Sequence, residues 1–447
     1  MLPPTTIQSP INNSAAIEGR PLFTQTFRRI YWRIVTKRPA LRDAARSALF
    51  LLWRLNCSVR SKLPVRSRCY DPDELLLVNP ARIQYFANLS GNTYTIRGKV
   101  ASGDWDLLTR RFEDWDGYEA IEQRFVQGKR WEETHYFRRV VKKIENGGME
   151  WGCTTISEFH QRLDNLDQLY HQIRDSGYKS QAELSIQEDQ LAWDRHPRFK
   201  RYDEIVICIG RDGDLLLRDG KHRLAIAKIL GLQQVPVAVG YRHRGWHQFR
   251  EEICAYARKR GGTVYQPLTH PDLVKIPAQH DDGRAQAILS NIPANCRTVL
   301  DLGSHWGYFC HVLEENGYEP TAVENHPENI YFLKKLRRAE NRTFAAFSDS
   351  LTNLSRVNFD AILALNIFRH FLRSDAFFEE MNVFLSRVNS RCMFFETAHQ
   401  NEPVMADSVW NPTPEEFAKF VADRCGFREI RVLGKFTKDR PLFLLSR

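Results

Sequence analysis

No stretch of about eighteen uninterrupted apolar residues occurs in the 447-residue sequence, which leaves no candidate for a membrane-spanning helix. Cys-x-x-Cys pairs are missing too. The nine cysteines, at positions 57, 69, 153, 208, 254, 296, 310, 392 and 425, are odd in number and scattered. That pattern excludes a disulfide framework and a structural zinc site, and it points to a reducing compartment. Internal repeats are absent. The N-terminus is polar and proline-containing from Met1 to Ile17, without the basic and apolar regions of a signal peptide, so residues 1–19 read as a disordered tail in a cytoplasmic protein.

What is present suffices for two or three domains, with 43% hydrophobic residues to build their cores. The net charge of +10 is concentrated. Residues 20–68 hold thirteen Lys and Arg against the single acid Asp43, which leaves the rest of the chain slightly acidic. Within that segment Phe23, Phe27, Ile30, Tyr31 and Ile34 recur at helical spacing, with Arg28, Arg29, Arg33 and Lys37 elsewhere on the wheel. A second apolar patch, Ala48 to Trp53, is flanked by Arg46 and Arg54. Such a segment fits peripheral contact with an anionic membrane at its inner face. It equally fits helices packed on the domain behind with their arginines solvated. No aromatic or glycine pattern of a nucleic-acid module accompanies the charge, so nucleic acid is not an expected partner.

The most informative stretch runs from Arg297 to Glu328. Val299–Leu302 is a short apolar run suited to a buried parallel strand, and Gly303-Ser304-His305-Trp306-Gly307 is a turn in which glycines let a ligand approach the backbone. Phe309, Val312 and Leu313 then give a helix its inward face, and Thr321–Val323 is a second strand ending on Glu324. An acid about 20 residues beyond the turn is placed to reach a ribose hydroxyl pair. This segment resembles motif I and the following acidic position of class I S-adenosylmethionine-dependent methyltransferases, with His305 where the usual pattern has a middle glycine. The resemblance implies a domain at 281–447 with a Rossmann-like, mostly parallel seven-stranded sheet.

The later alternation fits that fold. A helix is expected at Arg284–Leu289 and strands at Arg342–Phe347, Phe359–Asn366 continuing through Ile367–Phe371, and Arg391–Thr397. A helix at Pro414–Arg424 and an antiparallel pair, Glu429–Val432 with Leu442–Leu445, close it. The resemblance implies S-adenosylmethionine as cofactor, with Asp301, Gly303 and Gly307 at its methionine end, Glu324 at the ribose and Asp349 at the adenine. Methyl transfer is an in-line displacement, and a base is needed only if the acceptor must lose a proton. Candidates at strand ends are His370, Glu396 and His399. Asn366 is followed by Ile367-Phe368, so the Pro-Pro-aromatic signature of amino-methylating relatives is absent. An oxygen or carbon acceptor is favoured, on a glycan, a lipid-linked or another small anionic substrate.

Residues 71–258 read as a second, α+β domain, joined to the first by a linker at 259–280 rich in Gly, Pro and His. Strands are expected at Leu75–Val78 and Tyr94–Ile96, and helices over Tyr118–Ile144 and Ser157–Ser176. Ile205–Ile209 and Leu215–Leu217 flank a hairpin turn, a helix follows over Lys221–Leu230, and Val235–Val239 is a further strand. Gly220, Lys221, His222 and Arg223 stand at that helix's N-terminus, where free amides and the helix dipole favour phosphate. The segment from about 166 to 241 resembles the ParB/sulfiredoxin-like fold, with Lys221 in place of the sulfiredoxin cysteine. That resemblance implies a bound nucleoside triphosphate with Mg, and a nucleotide-dependent phosphotransferase or a non-catalytic nucleotide-binding scaffold as alternatives. Lys221 and Arg223 could also simply cap and solvate the helix. The basic cluster Arg242–His247 fits an anionic ligand or a solvated sheet edge.

Overall fold

A computed structural model describes residues 70–89, 96–107, 109–186, 204–280, 283–354 and 358–447. The tail and the basic segment 20–68 lie outside the described residues, as does most of Tyr94–Ile96. The chain divides into two units, Met1–Phe249 and Arg250–Arg447. Among the described residues no helix is long and apolar enough to cross a membrane.

The first unit holds a six-stranded mixed sheet of β1 (Leu75–Val78), β2 (Tyr85–Phe86), β3 (Lys99–Ala101), β4 (Ile205–Ile209), β5 (Leu215–Asp219) and β6 (Val235–His243). Its order is β1-β6-β4-β5-β2, with β3 also on β6. Strand β4 is buried along its whole length, as its unbroken apolar run requires. The hairpin after it closes through Gly210 N–H to the Asp214 carbonyl at 2.9 Å. Gly213, at φ 96°, supplies the positive dihedral of that turn.

The helices of this unit are α1 (Asp116–Phe125), α2 (His135–Glu145), α3 (Ile156–Ser176), α4 (Gln181–Ile186) and α5 (Lys221–Ile229), and α6 (Arg244–Arg258) leads into the second unit. The single helix expected over Tyr118–Ile144 is two. Gly128 turns the chain at φ 72°, and the Thr134 hydroxyl accepts from Phe137 N–H to start a new helix. Strand β6 runs past Val239 to His243, which removes Arg242 from any solvated edge. Its guanidinium is 1% exposed and lies 3.9 Å from the centre of the Tyr70 ring.

The second unit contains α7 (Gly283–Asn291), β7 (Thr298–Leu302), α8 (Tyr308–Glu315), β8 (Glu319–Glu324), α9 (Pro327–Ala339), β9 (Ala345–Ser348), β10 (Ala361–Leu365), α10 (Asp375–Ser386), β11 (Cys392–Glu396), α11 (Pro414–Cys425), β12 (Glu429–Lys435) and β13 (Pro441–Ser446). Its sheet is ordered β12-β13-β11-β10-β7-β8-β9. Every pairing is parallel except those of β13, which runs antiparallel to β11 and β12. That is the strand order of a Rossmann-like methyltransferase sheet. Ile288, Phe309 and Leu313 pack on one face, and Phe384, Leu385, Phe417 and Val421 on the other. With both faces covered, the central strands must be apolar throughout.

Two expectations are corrected here. The fourth strand does not continue through Ile367–Phe371: Asn366 turns left-handed at φ 63°, and Phe368–Arg373 forms a 3-10 helix. The third strand starts at Ala345, because the chain before it still wraps the end of α9, with Arg342 N–H bonded to the Arg337 carbonyl.

Asp360 braces the start of the central strands. Its Oδ2 accepts from Arg297 N–H, Thr298 N–H and the Thr298 hydroxyl at 2.9, 3.0 and 3.0 Å, and these bonds hold its carboxyl at about 2. Its stabilisation is therefore complete above the ordinary carboxylate value of 3.8 and vanishes as the pH falls through about 2. Asp360→Asn is expected to cost about 1 kcal/mol at neutral pH, since the group is partly solvated, and almost nothing in strong acid. Thermal melts of both proteins across pH test this; an equal loss at every pH would contradict it.

Candidate functional site

β7 and β10 are neighbours, yet β7 leads outward to β8 and β10 to β11 on the opposite side. Their carboxyl ends diverge, and such a reversal of strand order opens a crevice where open α/β sheets bind ligands. Here it is a cleft of about 760 Å³.

One end of the cleft is shaped by the turn after β7. Gly303 sits at φ 68°, and a Cβ there would come 2.7 Å from Ile367 Cδ1, so the crevice floor admits only glycine without displacement. His305 follows at φ 53°. Its backbone N–H donates to Glu324 Oε2 at 2.9 Å, while His326 N–H donates to Glu324 Oε1 at 2.8 Å. One carboxylate thus ties the turn after β7 to the tip of β8, and it stays on the cleft wall. Asp349 lines the same end and accepts from Ser350 N–H and Asn353 Nδ2 through Oδ1.

Beneath them Asp301 is fully enclosed, and burial pushes its carboxyl up to about 7 despite a bond from the Cys310 thiol, with Glu324 nearby raising it further. Asn366 is also buried on the lining, and its Oδ1 has no hydrogen-bond partner. A buried acceptor left open beside a glycine floor fits a ligand with N–H or O–H donors, such as the amino-acid end of an adenosyl cofactor.

The other end is cationic and aromatic. Arg369 and Arg373 line it together with Tyr265 and His370, Glu380 is also on the lining, and Tyr256 and Arg260 line the cleft beside His305, with the Tyr256 hydroxyl 3.4 Å from His305 Nε2. Arg260 packs 3.5 Å from the centre of the Tyr256 ring, and Tyr265 lies against His280 and His305 at 4.4 and 4.9 Å between ring centres. Enclosure, then neighbouring positive charge, brings His305 down to about 3 and His280 to about 4. His370 stands on the outer wall and is also held at about 4, by desolvation first and then by Arg369 and Arg373.

Of the residues expected at a methyltransferase site, Asp301, Gly303, Glu324, Asp349 and His370 share this cleft. Gly307 does not line it. At φ 83° it starts α8, packed toward Leu333. Glu396 is also off the lining: it is wholly buried and accepts from Arg284 Nη1 at 3.2 Å. His399 Nε2 donates to the Asp439 carbonyl, 3.1 Å away. Sequence reasoning missed Tyr256, Tyr265 and Gln266, which lie in no recognisable motif. It also placed Arg369 on a strand, whereas the 3-10 turn after Asn366 aims Arg369 and Arg373 at one wall.

In the first unit, Gly220 takes φ 85° at the N-terminus of α5, with room for no Cβ against Ile205. Lys221 lies 4.4 Å from the centre of the Trp115 ring, and burial lowers its ammonium. His222 stacks on Trp151 at 3.8 Å between ring centres, and its buried Nε2 has no hydrogen-bond partner among the described residues. Burial, with Lys221, Arg162 and Arg223 nearby, holds it well below the usual histidine range. Among the described residues no three His, Cys, Asp or Glu side chains converge as a metal site.

No family profile matches the chain, and no curated protein matches it in sequence. Among solved structures, the bifunctional kinase-methyltransferase WbdD aligns with 24% identity and a TM-score of 0.35, over 43% of this chain and 46% of its own. The N-terminal domain of EvdMO1 with SAH bound aligns with 16% identity and a TM-score of 0.33, over 44% of this chain and 96% of its own. A SAM-dependent methyltransferase from Aquifex aeolicus aligns with 16% identity and a TM-score of 0.28, over 38% and 95%. The alignment therefore spans under half the length of the WbdD structures. The fold assignment rests on the strand order, not on these likenesses.

The raised carboxyl of Asp301 has a measurable consequence. Its contribution is most favourable below 3.8 and is lost as the pH rises through about 7. Asp301→Asn is thus expected to gain thermal stability relative to the parent between about pH 5 and about pH 8. A difference that stays constant over that range would mean that Asp301 does not titrate there.

Proposed function

We propose that the chain is an S-adenosylmethionine-dependent methyltransferase acting on an oxygen, or less readily a carbon, of a glycan, lipid-linked or other small anionic substrate. The observation that carries this reading is the Glu324 carboxylate, fixed by the amides of His305 and His326 on the wall of a glycine-floored crevice at the strand-order reversal. A carboxylate so held keeps lone pairs for a ribose diol. Asp349 stands at the adenine end and Asn366 with Asp301 at the amino-acid end. When bound, the cofactor supplies an electrophilic methyl group on a sulfonium. The residues of this chain hold the two reactants in line and exclude water.

Calorimetric titration of S-adenosylmethionine and S-adenosylhomocysteine into the full chain tests the reading. Micromolar binding is expected. Gly303→Val should abolish it by filling the crevice floor, and Glu324→Ala should weaken it roughly ten- to a hundredfold. A folded protein that binds neither ligand would overturn the proposal.

A second reading concerns the first unit. The unpartnered Nε2 of His222 beside the N-terminus of α5 supports a phosphate-bearing ligand there, in keeping with a ParB/sulfiredoxin-like nucleotide site using Gly220, Lys221, His222 and Arg223. The chain would then be bifunctional, with a nucleoside triphosphate and Mg in that unit and the basic segment 20–68 contacting an anionic membrane. Saturable nucleotide binding lost in Arg223→Ala is the expected result. Absence of binding by the parent at millimolar nucleotide would remove this reading.

A further inference from the structure

Arg369 and Arg373 line the cleft without an ion pair among the described residues, with the exposed Glu380 carboxylate also on the lining. Arg369 is half-buried on the lining, and its Nε is enclosed without a hydrogen-bond partner. The charged groups around it are Arg373, Arg440 and Glu402, with the Tyr265 phenol on the same wall. Glu402 is already committed. It binds Arg440 through Nε at 2.7 Å and Nη2 at 2.5 Å, accepts from His399 N–H at 3.0 Å and has Lys438 Nζ at 3.6 Å. Arg369, Arg373 and Arg260 form no ion pair among the described residues. At the opposite end, Glu324 and Asp349 are engaged by backbone amides. A guanidinium kept partly out of water with no counter-charge is costly unless a ligand supplies one, and its planar fork suits a two-oxygen anion.

Glu380 and His370 are titratable side chains on the lining near Arg369 and Arg373 in sequence. Glu396 is shut away against Arg284, and His370 sits between two arginines that oppose its protonation. Asp301, pushed up to about 7, is fully enclosed against the Cys310 thiol, and Glu380 is a solvent-exposed carboxylate, so neither is placed as a base for a hydroxyl held at Arg369. An oxygen that is already ionised needs no base.

We propose that the acceptor oxygen is itself an anion, of a carboxylate or a phosphate group, and that Arg369 and Arg373 hold it against the methyl donor. This rests on the methyltransferase reading. In the step, a lone pair of the anionic oxygen forms the new O–CH₃ bond while the C–S bond breaks. Its electron pair goes to sulfur, leaving a neutral thioether. No proton moves. The product is a methyl ester, or a phosphate carrying one negative charge fewer, so its hold on Arg369 weakens and release is favoured. Tyr265 then provides an aromatic wall for the uncharged body of the acceptor.

The test uses the full chain saturated with S-adenosylhomocysteine and titrated with inorganic phosphate and with acetate. At least one anion should bind saturably. Arg369→Gln should weaken that binding roughly tenfold or more and leave S-adenosylhomocysteine affinity unchanged, while Arg369→Lys should recover part of it. Saturable binding equal in parent and Arg369→Gln, or none in the parent complex, would overturn the proposal. A parent that does not bind S-adenosylhomocysteine would instead overturn the methyltransferase reading. Product chemistry supplies a second arm, using methyl-labelled cofactor and a small-molecule cell extract. Label freed as methanol by mild alkali identifies a carboxylate acceptor. Alkali-stable label on a product retained by anion exchange and released by phosphodiesterase identifies a phosphate. Label in an alkali-stable ether would refute the anionic nucleophile.

Discussion

The arrangement of the second unit depends on the burial of β7, β10 and β11 on both faces. Strands closed in from either side are buried along nearly all their length, so ligand-facing polar chemistry gathers where they end. Because β7 and β10 lead to opposite sides of the sheet, their ends separate, and the space between them is the cleft. That reversal brings the glycine turn, the left-handed Asn366 and the 3-10 helix after it to the cleft.

Within the cleft, charge is sorted. Backbone amides satisfy the acids at the β7–β8–β9 end, so they remain acceptors of fixed orientation. At the Arg369 wall, the enclosed Nε of Arg369 has no hydrogen-bond partner among the described residues. Enclosure keeps His305 and His280 neutral, so these rings add shape and stacking without adding to the positive charge. Such a division suits a reaction between a donor recognised by hydrogen bonding and an acceptor recognised by charge.

The first unit follows a different logic. Its polar groups are mostly consumed in bracing its own sheet and helices. Arg211 clamps Asp106 and Asp104, and Arg124 with the Trp131 indole engages Asp167. His222 lies between Trp115 and Trp151, and among the described residues its buried Nε2 has no hydrogen-bond partner, as is also true of Trp105 Nε1 and the Tyr136 hydroxyl.

Local information in the sequence was enough for the strand–turn–helix at Thr298–Glu315, the acid at Glu324, the hairpin at Ile205–Asp219 and the closing β12–β13 pair. Each depends on residues near in sequence: an apolar run, a glycine with positive φ, a helix start. Tertiary structure alone decided the rest. Whether Asn366 continues a strand or turns left-handed depends on its N–H meeting the Glu396 carbonyl, a neighbour only once the sheet is assembled. That turn sets where Arg369 and Arg373 point. Glu396 reads as a strand-end acid, yet its burial against Arg284 is decided by packing across 112 residues of chain. Tyr265 and Gln266 reach the cleft because the chain from Val264 to Gln279 is bonded back on itself, through pairings that no local pattern encodes. Periodicity and turn chemistry act over a few residues, whereas the charge balance of a cleft is a sum over segments that only folding brings together.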